Sequence, residues 1–266
     1  MVKEAVQSKP DAILLGGGDG TISGLVDFMI GTGIPVGLLP LGTANSFARS
    51  LALPLDIDEA IDCILAGNLR RIDLGKINND YFANCAAMGM SPLIASTIPG
   101  WVKKWGGRAG YALWAAWCFV RFRPFRLVIT DENGRESRMH ALEVRIANGN
   151  FQGGAELVDS AAVDSGDIVV QTVEGKRHGR LVVSWMMTLL HLPAVKSTTH
   201  EIRGRNLRID AFPPQDISID GEVLARTPII AGVAPGAIEV LAPAPEHAPE
   251  RAVRAGTLAP AVSPVG

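Results

Sequence analysis

Residues 13–21 read Ile-Leu-Leu-Gly-Gly-Gly-Asp-Gly-Thr, an apolar run that passes into glycines holding one carboxylate, Asp19, and ends on the hydroxyl of Thr21. Glycines leave successive backbone N–H groups free to turn toward an anion, with no Cβ in the way. A helix starting after Thr21 would bring its positive end to the same place. Asp19 could then hold a metal ion or order a hydroxyl. An ordinary strand-to-helix turn that uses glycine for tightness is the simpler alternative. The two commonest nucleotide signatures are excluded. G-x-G-x-x-G counted from Gly16 places Thr21 at its last glycine, counted from Gly18 it places Ser23 there, and no lysine follows the glycines as a Walker loop requires.

A second reactive segment follows, Leu39-Pro40-Leu41-Gly42-Thr43-Ala44-Asn45-Ser46-Phe47-Ala48-Arg49. Thr43 suits an N-cap or a phosphate ligand, and Asn45 could donate to a phosphate or a hydroxyl. A plain capped helix start explains the segment equally well. Near the other end of the chain stands Ile219-Asp220-Gly221-Glu222, in which Asp-Gly by itself is a common hairpin turn.

The elements that must position these residues change character along the chain. Residues 2–9 read as the end of a helix, Asp11–Leu15 as a buried strand, and Ile22–Ile30 as a helix with apolar residues at Ile22, Leu25, Val26 and Met29. Val36–Leu39 reads as a second buried strand, followed by helices over Thr43–Leu51 and Ile57–Ala66. Alternating strands and helices with short turns predict a parallel, helix-covered sheet, with both reactive loops at its carboxyl edge. After about residue 70, strand-like runs predominate: Ile72–Ile77, Tyr81–Ala86, Phe125–Asp131, Ala141–Ala147, Ile168–Val173, Glu201–Ile209 and Ile217–Ile219. Helical insertions are expected at about 91–121 and 177–191. The expected division is an α/β domain over 1–69, an antiparallel β domain over 70–242 and a disordered Ala-Pro-Val tail over 243–266. The hinge is expected near Asn68–Arg71, with the active site in the cleft between the domains.

Composition narrows the classes. The 266 residues, 47% hydrophobic, suffice for one large or two modest domains. A net charge of −2 gives no global electrostatic case for nucleic acid. Cys63, Cys85 and Cys118 are far apart and the histidines are scattered, which fits a reducing cytosol and neither a disulfide framework nor a zinc site. Met1 leads into Lys3, Glu4, Gln7 and Lys9 without an apolar signal-peptide core. The longest apolar stretch, Tyr111–Val120, is far short of the roughly 18–20 residues that span a bilayer.

Gly-Gly-Asp-Gly-Thr followed by Pro-Leu-Gly-Thr-Ala-Asn-x-Phe-Ala-Arg resembles the diacylglycerol kinase catalytic-domain family, which includes bacterial lipid kinases and sphingosine kinases. The resemblance continues through Asn148-Gly149-Asn150-Phe151-Gln152-Gly153-Gly154 and Ile219-Asp220-Gly221-Glu222, in the family's order and over roughly residues 10–242. It implies an α/β nucleotide domain like that of NAD kinases, then an antiparallel β-sandwich, with ATP in the cleft. It implies that Gly17, Gly18, Asp19, Gly20, Thr21, Ile22 and Ser23 surround the ATP phosphates, with Thr43 and Asn45 nearby. Asp220 would take the proton of a lipid hydroxyl, with Glu222 supporting it or taking that role. Mg²⁺ is implied as well. Ser165 stands at a β-domain position where the family often has a magnesium-binding Asp, leaving Asp164 or Asp167 as candidate ligands; a solvated acidic loop is the alternative. Ser46 stands where many members have Asp. The family's Asn-Pro-x-x-Gly strand and loop, which precede the glycine loop, have no counterpart here, so an N-terminally truncated enzyme is expected.

The resemblance implies a diacylglycerol-like or sphingoid-like acceptor. An NAD kinase and a non-catalytic nucleotide- or lipid-binding remnant are the rival readings. Trp101, Trp105, Trp114 and Trp117 lie among Lys103, Lys104, Arg108, Arg121, Arg123 and Arg126. Tryptophan beside cations suits transient contact with a membrane surface, whereas packing on the β domain would take Trp114 and Trp117 inside. A cytoplasmic protein, peripheral at the inner membrane face, follows from this reading, with homodimerisation left open.

Overall fold

In the computed structural model, the described residues are 2–175, 199–219 and 222–244. The helix expected over 177–191, the tail from residue 245 and the dipeptide Asp220-Gly221 lie outside them.

The chain opens with α1 (Val2–Gln7) and β1 (Ile13–Gly17), which pairs in parallel with β2 (Val36–Pro40) from Ile13 opposite Val36 to Gly17 opposite Pro40. Between them lie α2 (Asp19–Val26) and a 3-10 turn, Asp27–Met29. Ile22, Val26 and Met29, spaced one turn apart, are each buried. α3 (Ser46–Ser50) is shorter than the helix expected over 43–51, because Thr43 and Ala44 stay in the loop. α4 (Ile57–Leu65) starts where expected; the Asp56 carboxylate accepts from the N–H groups of Asp58 and Glu59 at 3.0 and 3.2 Å.

The antiparallel part begins with β3 (Leu69–Ile77), β4 (Asp80–Phe82) and β5 (Cys85–Gly89). The strand expected over 81–86 is thus two strands with different partners: β4 pairs with β3, while β5 pairs with β7 (Glu136–Ala147). Between β5 and β6 (Phe125–Thr130) come α5 (Met90–Thr97), α6 (Gly100–Trp105) and α7 (Gly107–Arg121), three helices where one insertion was expected, separated at Pro99 and Gly106. The hairpin β8 (Phe151–Gln152) and β9 (Ala155–Glu156) precedes β10 (Ile168–Glu174). The expected strand over 201–209 is likewise two, β11 (Thr199–Gly204) and β12 (Asn206–Phe212). β13 (Asp216–Ile219) and β14 (Glu222–Arg226) pair antiparallel, and β15 (Ile229–Leu241) closes the described chain.

β15 has no counterpart among the expected elements, since Gly232, Pro235 and Gly236 interrupt its apolar pattern. It runs antiparallel to β3 and β12 with a bulge between Ala234 and Ile238, and its end pairs in parallel with β2, Val240 opposite Val36. The last strand therefore binds the α/β and antiparallel parts into one sheet.

Two main cores result. One packs Ile13, Leu15, Ile22, Leu38, Phe47 and Leu51 against Ile72, Leu74, Ile238 and Val240. The other lies in the antiparallel part, around Phe82, Met88, Phe125, Leu127, Val144, Val170 and Ile209. β3 crosses between them: Ile72 and Leu74 belong to the first core and Ile77 to the second.

Candidate functional site

The glycine run is not a free loop. Gly16 and Gly17 end β1, Gly18 is the link, and Asp19 and Gly20 already form the first turn of α2. This tight passage works because the second reactive loop lies directly against it. The N–H of Leu41 donates to the carbonyl of Gly17 at 3.2 Å, and a Cβ on Gly42 would fall 2.4 Å from the Cα of Gly18. Two backbones approach this closely only where both residues are glycine. The contact sets both loops side by side at the carboxyl ends of β1 and β2. In the first turn of α2 the N–H groups of Thr21 and Ile22 donate to the Gly18 carbonyl at 3.0 and 3.1 Å, which leaves those of Asp19 and Gly20 at the same edge.

Asn45 has a different role from the expected ligand. It sits in the left-handed region at φ 48°, and its side chain is buried. Its Oδ1 accepts from the Gly42 N–H at 2.8 Å, while Nδ2 donates to the carbonyls of Gly42 at 2.8 Å and Pro40 at 3.1 Å. Both amide donors are thereby committed, so Asn45 shapes the loop and has no side-chain N–H left for a phosphate. It also leaves α3 without a cap from its own N-cap side chain. That cap comes from Asp19, whose Oδ1 accepts from the Phe47 N–H at 3.0 Å. The carboxylate singled out in the glycine run thus fastens the N-termini of two helices together, and its Oδ2 makes no hydrogen bond among the described residues.

Thr43 is exposed in the loop and caps nothing, which leaves its hydroxyl available. Thr21 is exposed and Ser23 half-buried. Ile22 differs from its expected place at the phosphates. Its side chain is buried in the first core and its N–H already donates to the Gly18 carbonyl at 3.1 Å.

The segment Asn148–Gly154 is brought against α3. Ser46 Oγ accepts from the Gly154 N–H at 3.0 Å. One turn on, Ser50 Oγ donates to Asn84 Oδ1 at 2.9 Å and accepts from the Phe151 N–H at 3.4 Å. Asn84 Nδ2 donates to the Phe151 carbonyl, and the Asn84 carbonyl accepts from the N–H groups of Asn148 and Gly149 at 2.9 and 3.0 Å. Asn148 Nδ2 in turn donates to the carbonyls of Asp73 and Ala83, both at 2.9 Å. The buried Asp73 carboxylate accepts from Gly236 at 2.8 Å and Gly166 at 2.6 Å, tying β3 to β15 and to the loop before β10. Ser50, Asp73 and Asn84 were not singled out in the sequence. A carboxylate between two strand apolar residues, Ile72-Asp73-Leu74, is the one signal that could have found Asp73. Arg49 was also passed over. Its Nε donates to the Ala44 carbonyl at 3.0 Å, and its two terminal nitrogens make no hydrogen bond among the described residues.

The proposed metal ligands each lie beside a different arginine. Asp164 lies 3.2 Å from Arg70 and Asp167 lies 3.7 Å from Arg203. Each carboxylate already faces a guanidinium, which opposes a cation. No cluster of three or more His, Cys, Asp or Glu side chains exists among the described residues. Glu222 is exposed, opposite Ile219 at the start of β14. Asp220 lies outside the described residues.

Residues 1–77 match the model of the diacylglycerol kinase catalytic domain, and residues 87–242 match that of the YegS C-terminal NAD kinase beta sandwich-like domain. Over 257 residues the chain is 30% identical to the protein named "Probable lipid kinase YegS" of Salmonella arizonae, covering 91% of this chain and 81% of that one. The chain belongs to the diacylglycerol kinase catalytic-domain family. A "Probable lipid kinase YegS-like" of Chromohalobacter salexigens is 27% identical over 248 residues, covering 91% of this chain and 79% of its own length. A crystal structure of a diacylglycerol kinase from Bacillus anthracis superposes with a TM-score of 0.70 at 20% identity, over 91% of this chain and 81% of its own. At that identity the likeness shows the shared fold, an α/β unit followed by a β-sandwich-like unit.

Membership makes the protein a kinase and implies ATP. The close approach of Gly18 and Gly42, beside the Asp19 and Gly20 N–H groups at the start of α2, fits a phosphate. Asp164, hydrogen-bonded to Arg70, does not fit the expected Mg²⁺ site, whereas Asp167 has a buried Oδ1 with no hydrogen-bond partner among the described residues, 3.7 Å from Arg203.

Proposed function

We propose that the chain transfers the γ-phosphate of ATP to a hydroxyl of a diacylglycerol-like or sphingoid-like lipid. The observation that carries this reading is the backbone contact of Gly18 with Gly42, which places two anion-suited loops at one sheet edge. The names of the relatives, lipid kinase and diacylglycerol kinase, favour a lipid acceptor. Gly17, Gly18, Gly20 and Thr21 would receive the phosphates, with Thr43 beside them and Asp19 and Asn45 holding the loops in register. Phosphoryl transfer depends mainly on positioning and charge neutralisation. Asp220 would take the acceptor's hydroxyl proton as its oxygen bonds the γ-phosphorus and ADP departs, with Glu222 supporting that carboxylate.

The test is incubation of the purified chain with labelled ATP against a panel of diacylglycerol, a sphingoid base and NAD. Label in a lipid supports the reading. Label in NAD with none in lipid would establish an NAD kinase instead. No transfer to any acceptor, with nucleotide still bound, would leave a binding protein.

A further inference from the structure

Between Tyr81 and Thr130 the chain has no Asp or Glu, yet it has six Lys and Arg residues, in a protein of net charge −2. The α6–α7 hairpin lies in this stretch and presents large apolar side chains to solvent. Trp101 is 68% exposed, Trp105 80%, Leu113 74% and Val120 80%. On α7, Leu113, Trp117 and Val120 follow the helical repeat along one outward stripe, while Trp114, Cys118 and Phe122 face the second core. Trp117 therefore departs from the inside position expected for it: it is 45% exposed and stacks on Trp114 with ring centroids 4.6 Å apart.

Cations flank this stripe. Lys104 Nζ lies 5.6 Å from the Trp105 ring centroid, and the Arg121 guanidinium carbon lies 4.8 Å from that of Trp117. Lys104, Arg121 and Arg123 are exposed and have no carboxylate partner among the described residues. Indole rings suit the headgroup level of a bilayer, where their apolar body and N–H are both accommodated. Unpaired cations beside them suit anionic headgroups. No described helix is long and apolar enough to cross a membrane, so the geometry is that of a face lying on the surface.

We infer that the α6–α7 face docks the kinase on a bilayer containing anionic phospholipid, which would bring the active site to its acceptor. The inference rests on the lipid acceptor proposed above but is tested without it. The full chain is mixed with vesicles of phosphatidylglycerol and phosphatidylcholine in equal parts, or of phosphatidylcholine alone, free of any acceptor lipid. Co-sedimentation is measured together with tryptophan emission.

The expected result is binding to the anionic vesicles with a blue shift, and weaker binding as salt is raised. Lys104→Ala and Arg123→Ala each lower partitioning about fivefold, and Trp105→Ala about tenfold. Unchanged melting temperatures show that these variants remain folded. No binding to anionic vesicles, equal binding to phosphatidylcholine alone, or unaltered binding by all three variants overturns the inference. So does a dimer that Trp105→Ala converts to monomer, since the face would then belong to a second copy. Because no transfer is read, docking fails or stands independently of the lipid-kinase assay.

Discussion

Asp19 offers a way to separate a chemical role from a structural one. Its Oδ1 caps α3 through the Phe47 N–H at 3.0 Å, and its charge sits in the first turn of α2. Asn45 cannot replace the cap, because its amide is committed to Pro40 and Gly42. Loss of an N-cap costs about 0.5–2 kcal/mol and loss of a carboxylate at a helix N-terminus about 0.3–1 kcal/mol. Asp19→Ala removes both and should cost about 2 kcal/mol, whereas Asp19→Asn keeps an acceptor oxygen and should cost about 0.5–1 kcal/mol. At about 2–4 °C per kcal/mol, the melting temperature falls by about 4–8 °C for Ala and by about 1–4 °C for Asn. Thermal unfolding and labelled-phosphate transfer are then measured on the same preparations. If the carboxylate also acts on the phosphates or the acceptor, Asn lowers turnover about a hundredfold or more despite its near-normal stability. Equal melting temperatures for the two variants would refute the cap. Wild-type turnover in Asp19→Asn would confine the residue to positioning.

Three other outcomes are expected. Gly42→Ala, whose Cβ would meet Gly18 Cα at 2.4 Å and Asn45 Oδ1 at 2.7 Å, should cost about 1–3 kcal/mol and weaken ATP binding; Gly16→Ala, which meets the tip of Leu41 at 3.1 Å and Leu39 Cβ at an ordinary 3.9 Å, should do much less, and equal nucleotide titrations would refute the contact's importance. Asp220→Asn should lower kcat about 10²–10⁴-fold with ATP affinity little changed, and equal losses in both would argue against a base. Burial and the nearby Asp80 carboxylate raise Asp27 above its ordinary value of 3.8. The folded state then holds the proton more tightly than the unfolded chain, so this contribution is present below that value and is lost as pH rises through the folded pKa. Asp27→Asn should therefore raise the melting temperature at pH 7 but not below pH 3.8, and a flat difference across pH would refute it.

Much of the fold was legible because burial repeats locally. The strands at 125–131, 141–147, 168–173 and 217–219 were read from alternating or continuous apolar residues, and each lies within or nearly coincides with a strand of the structure. Where a strand changes partner, at Ala83-Asn84 and at Arg205, a single apolar run gave no sign of it. β15 escaped notice because glycines and Pro235 break its pattern, although it joins the two parts of the molecule.

The amino-acid sequence by itself determined the residue types at the site: glycines that admit close backbone approach, Asp19, Thr43 and the order of motifs that marks the family. Those properties are covalent and need no fold to be read. Only the tertiary structure decided how each polar group is used. It turned Asn45 inward as a loop brace, made Asp19 the cap of a helix formed by residues far along the chain, and set Asp164 and Asp167 against separate arginines. A hydrogen-bonding group satisfies whichever partner folding brings within about 3 Å, and that partner is set by packing across the chain rather than by neighbours in sequence.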